Sequence, residues 1–110
     1  MPKFLFEARY TSEGAIGLAK EGGASRREAV KKHLDALGGK LESMYFAFGD
    51  VDCFVIVDLP DNVSAAALSL AVNESGLIAT KAIVLLTPED MDKAGKKKVR
   101  FRGPGKKHRS

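Results

Sequence analysis

The sequence predicts an α+β domain in which a four-stranded antiparallel sheet carries its helices on one face. Three observations point there. Four segments alternate apolar and polar residues at the two-residue period of a strand, two regions between them run at helical spacing, and the order is strand, helix, strand, strand, helix, strand. With 110 residues, 45% apolar and 29% charged, the chain is long enough for one core and too short for two.

Lys3 to Tyr10 is the first strand, with Phe4, Phe6, Ala8 and Tyr10 on the core face and Leu5, Glu7 and Arg9 on the other. Ser12 is placed to cap a helix carrying Ile16, Leu18 and Ala19. Gly14 and Gly17 weaken it and Gly22-Gly23 stop it, so the segment reads as half helix, half loop. Ser25 to Glu28 has the spacing of a capping box, and Val30, Leu34 and Leu37 form one stripe before Gly38-Gly39. Lys40 to Phe48 and Asp52 to Leu59 are the next two strands, joined as a hairpin through Gly49-Asp50-Val51. Asp61 caps a further helix whose apolar stripe is Val63, Ala66, Ala67, Leu70 and Ala71, ending at Gly76. Leu77 to Thr87 is the last strand, and Thr87-Pro88-Glu89-Asp90 opens a short final helix ending by Gly95. This βαββαβ order is the ferredoxin-like plan.

Helices on one face leave the other face to explain. The third strand is apolar on both sides, Cys53, Val55 and Val57 against Phe54 and Ile56. The second offers Met44, Phe46 and Phe48 against Leu41, Tyr45 and Ala47, and the fourth Ile78, Ala82, Val84 and Leu86 against Ala79, Ile83 and Leu85. A second copy of the sheet is the simplest cover, so a homodimer packed face to face is expected.

Charge divides the chain. Residues 1–92 hold 9 Lys/Arg and 14 Asp/Glu, whereas residues 93–110 hold 9 Lys/Arg and no acid. The expected organisation is therefore a mildly acidic folded body, 1–92, and a basic tail, 93–110, with any affinity for nucleic acid or an acidic protein surface confined to the tail. The candidate polyanion contacts are Lys96, Lys97, Lys98, Arg100 and Arg102, then Lys106, Lys107 and Arg109, with Phe101 placed to stack on a base. No apolar run approaches the roughly 18 residues of a membrane span. The start of the chain has no signal-peptide pattern, and the single cysteine allows no internal disulfide, so a cytoplasmic protein without membrane contact is expected.

Tyr45 to Pro60, the following Asp61-Asn-Val-Ser-Ala-Ala-Ala67, and Leu85-Leu-Thr-Pro-Glu89 resemble the GYD domain family. Gly49 and Asp52 match its naming motif, and Val51 stands where the family has tyrosine. The resemblance implies a dimeric α/β barrel related to small monooxygenases, isomerases and stress-related proteins, and it assigns no reaction.

Within that frame the chemistry-bearing residues are few. His33, the one histidine of the body, and Asp52 are the candidate acid/base pair, while Tyr10, Tyr45 and Arg26 are candidate ligand contacts. Asp50 and Asp52, near Glu42 and Asp58 in sequence, are open to a second reading as turn chemistry, and His33 to one as a surface residue. Cys53 reads as a small buried hydrophobe with no basic neighbour evident. No metal-ligand spacing, nucleotide-binding loop or nucleophile elbow occurs, so neither metal nor organic cofactor is expected. The reading that follows is a dimer binding a small molecule, an enzyme without cofactor if it is one. The alternative is an anion- or RNA-binding adaptor, or a structural subunit, acting through the tail.

Overall fold

The computed structural model describes residues 1–47 and 49–107. Its elements are β1 (Lys3–Tyr10), α1 (Ser12–Glu21), α2 (Gly23–Ala36), β2 (Lys40–Phe46), β3 (Cys53–Asp58), α3 (Asn62–Glu74), β4 (Ile78–Leu85) and α4 (Pro88–Lys96). The four strands form one antiparallel sheet in the order β2-β3-β1-β4, the ferredoxin-like α+β arrangement. Phe48, expected at the end of the second strand, lies outside the described residues.

Register fixes which face is which. Phe4 pairs with Val57 and Val84, Phe6 with Val55 and Ala82, and Ala8 with Cys53 and Thr80. Directly paired residues project to the same side, so these rows form the face under the helices. Phe4, Phe6, Ala8, Cys53, Val55 and Val57 are buried there with Leu34 of α2, Ala65 of α3 and Leu59. The opposite face presents Leu5, Phe54, Ile56, Ile83 and Tyr45, and none of the helix residues buried in the core lies on it among the described residues.

Three local expectations are corrected. The first region is helix throughout, with Thr11 rather than Ser12 as the cap: the Thr11 hydroxyl accepts the Gly14 N–H at 3.2 Å and donates to the Leu77 carbonyl at 3.1 Å. The capping box at Ser25 does not form, because Gly22 at φ 90° turns the chain straight from α1 into α2, which begins at Gly23 with no side-chain cap. Leu41 shares the face of Met44 rather than that of Tyr45, since a register shift between Leu41 and Ser43 inserts a bulge that pairs Leu41 with buried Val57.

The largest correction concerns α3. The expected core stripe is turned to solvent, with Val63 76% and Leu70 70% exposed, while Ala65 is buried and Leu68 packs against the core. The segment Val63–Val72 carries no charge, so apolar residues at helical spacing occur in two phases. Buried Leu59 and the Asp61 cap on the Ser64 N–H at 2.8 Å fix the entry of the chain, and that entry selects the Ala65–Leu68 phase.

The final helix forms as expected, capped reciprocally by Thr87 and Asp90, and runs to Lys96. None of its residues is buried, and the chain measures 60 × 31 × 22 Å, with residues from 97 on carrying neither helix nor strand among those described. No described helix is long and apolar enough to cross a membrane.

Candidate functional site

Helix α2 places Arg26, Val30 and His33 along one side at i, i+4 and i+7, with Leu37 as its C-cap just beyond. That side borders a cleft. Its inner part, about 70 Å³, lies between helices and sheet and is lined by Phe6, Tyr10, Met44, Cys53 and Leu68 among others. Its outer part is a groove of about 440 Å³ between α2 and α3, and the two share Arg26, His33, Leu68, Val72 and Ile78. Ala36, Ala67 and Ala71 line the outer groove, where small side chains on facing helices leave room that larger ones would fill. A second, more open hollow of about 650 Å³ lies where α1 meets the end of the sheet, between Tyr10, Thr11, Leu18, Phe46 and Asp52.

Arg26 organises the electrostatics of the cleft. Its side chain is 26% exposed, its nearest carboxylate is Glu21 Oε2 at 3.8 Å, and among the described residues it makes no side-chain hydrogen bond. The Cys53 thiol is pushed up to about 11 by burial, against the lowering effect of Arg26 and with a further push from Asp52. It is therefore a protonated, inert thiol near neutral pH even with a guanidinium nearby. The Tyr10 hydroxyl is likewise raised, by burial first and then by Cys53, with Arg26 opposing.

The structure brings Tyr10, Arg26 and His33 to one cleft, with His33 at its exposed outer rim. Asp52 lies in the neighbouring hollow, where its Oδ2 accepts the Tyr10 backbone N–H at 2.8 Å and closes the end of β1. His33 and Asp52 meet in neither cavity. Tyr45 is 70% exposed and pairs with Phe54 on the opposite face of the sheet, away from Tyr10. Glu42 and Asp58, the other carboxylates near the turn in sequence, both engage Lys3 on that open face, Asp58 Oδ1 at 2.9 Å. Among the described residues no group of three or more His, Cys, Asp or Glu converges as metal ligands would.

Sequence reasoning missed Val30, Leu68, Val72 and Met44 as cleft residues. The signal that could have found them is the second apolar phase of α3 together with its alanines. In the tail, Lys96 ends α4, and Lys97, Lys98, Arg100, Arg102, Lys106 and Lys107 follow beside Phe101, which is 77% exposed; Arg109 lies outside the described residues.

Comparison with curated proteins and with solved structures finds no match to the chain. The family model described as GYD domain matches residues 4–94, which span β1 from Phe4 on, the other three strands, α1 to α3 and most of α4. With its ferredoxin-like sheet and this match over most of its length, the chain belongs to the GYD domain family.

Proposed function

We propose that the protein is a homodimer that binds a small apolar molecule bearing one anionic group, such as an aromatic carboxylate, in the cleft between α2, α3 and the sheet. The observation that carries this reading is Arg26: a guanidinium held mostly out of water, bordered by apolar side chains, with its nearest carboxylate at 3.8 Å. Five N–H donors in that setting favour a planar anion, and the apolar lining favours the rest of the ligand. His33 lines the outer groove and is our candidate to exchange a proton with a bound molecule.

Titration with naphthoate and with its neutral amide tests this. R26M should bind naphthoate about ten- to a hundredfold more weakly, the worth of a charged hydrogen bond, while keeping its melting temperature. Equal affinity for acid and amide, or an unchanged constant in R26M, would overturn the reading.

A second reading rests on the tail, whose exposed basic residues from Lys93 to Lys107 include no acid. As a polyanion-binding arm it should hold a labelled RNA at low salt and lose about a thousandfold in affinity between 50 and 200 mM salt if about six phosphates are neutralised. Salt-independent binding would count against it.

A further inference from the structure

The sheet has two edges, and they differ. The β2 edge is broken by the bulge at Leu41 and Ser43, whereas β4 runs eight residues against β1 in unbroken register. On β4 the side chain of Asn73 takes both main-chain groups of Thr80, accepting its N–H at 2.8 Å and donating to its carbonyl at 3.5 Å. Thr80 therefore turns its main chain away from β1. By the two-residue period so do Ala82 and Val84, for whose outward N–H and C=O groups no partner occurs among the described residues. A long edge strand without a bulge or proline, its one charge Lys81 set across from Glu7 on the open face, is a template for another strand. Beside it Val84 and Leu86 are 57% and 59% exposed.

The chain carries a segment that fits this edge. Lys98-Val99-Arg100-Phe101-Arg102 alternates basic and apolar residues at strand period and stops at Gly103-Pro104, where proline has no N–H to give. Val99 and Phe101 are 80% and 77% exposed, without the apolar partners their alternation calls for. In its own chain the segment follows the nine-residue helix α4 and is not paired as a strand. We infer that residues Lys98–Arg102 of a second copy pair as a fifth strand with the outer edge of β4 at Ala82 and Val84, placing Val99 and Phe101 over Val84 and Leu86. A polyanion on the tail would leave those β4 amides to water and Val84 and Leu86 uncovered, which is why the second copy is the better occupant.

Amide hydrogen exchange on the full chain tests the pairing. The Ala82 and Val84 amides should exchange about tenfold or more slowly than open amides, and V99P/F101P should remove that protection while the Ile83 amide, which faces β1, keeps its own. In a mixture of differently isotope-labelled copies, Phe101 of one copy should show contacts to Val84 of the other. Fast exchange at Ala82 and Val84 in the unmodified protein would overturn the inference and leave the arm free for a polyanion. Protection that survives the two prolines, or Phe101 contacts seen only within one copy, would overturn it as well.

Discussion

Replacing Ile56 by aspartate is expected to leave no soluble, folded protein of native size. Ile56 sits mid-sheet on the face without helices, in a row with Ser43, Leu5 and Ile83, one step from the row of Tyr45, Phe54, Glu7 and Lys81. The charges on this face come largely in opposite pairs, Lys3 with Glu42 and Asp58, and Glu7 across from Lys81, so burying it strands little net charge. In the proposed homodimer this face meets a second copy of itself. A carboxylate placed at its centre has no partner, and an unpaired buried charge costs about 3–5 kcal/mol, a hundredfold or more in the dimer constant. The released face is apolar enough that the separated chains should aggregate rather than persist as monomers. Size-exclusion chromatography with light scattering decides the matter. A folded monomer of the unmodified protein at micromolar concentration would remove the basis of the prediction, and a native-sized I56D dimer would contradict it.

Much of the fold was legible because alternation and punctuation are local. All four strands and the βαββαβ order follow from period-two patterns and from the glycines between them, and the Thr87–Asp90 cap was visible as a sequence motif. What stayed hidden depends on relations between elements. Alternation assigns Tyr10 and Tyr45 each to one side of its own strand and says nothing about which side of β2 matches which side of β1. Only the pairings of Phe6 with Val55 and of Val55 with Met44 show that the two tyrosines project to opposite faces. The bulge near Leu41 and the phase of α3 are of the same kind, since a helix with no charge between Val63 and Val72 and apolar residues in two phases has no sequence mark for its inner side. Arg26 and His33 were legible as residue types, but their joining into a cleft rests on small side chains contributed by α2 and α3 together. No single segment carries that signal.

Within α1, two glycine-to-alanine changes should have opposite signs. Each removes a helical glycine and on propensity alone gains up to about 1 kcal/mol. At Gly17 nothing lies within 4 Å of the added methyl, so that gain should appear whole, as a rise of about 4–8 °C in melting temperature. At Gly14, which is buried, the methyl would stand 1.9 Å from the Leu77 carbonyl oxygen and 2.9 Å from its carbon, both main-chain atoms that no rotamer change can move. The same carbonyl accepts the Thr11 N–H at 2.9 Å and the Thr11 hydroxyl at 3.1 Å, so the helix must shift and weaken both bonds. Overpacking of this kind costs about 1–3 kcal/mol and each weakened bond up to about 1 kcal/mol, which together exceed the propensity gain. G14A should therefore melt about 5–15 °C below the unmodified protein. Because Tyr10 lies 3.3 Å from the added methyl and lines the cleft, the affinity for the proposed aromatic carboxylate should fall too. Thermal melts of the two variants side by side are sufficient, and a G14A protein as stable as G17A would show that α1 is not seated against Leu77 as described.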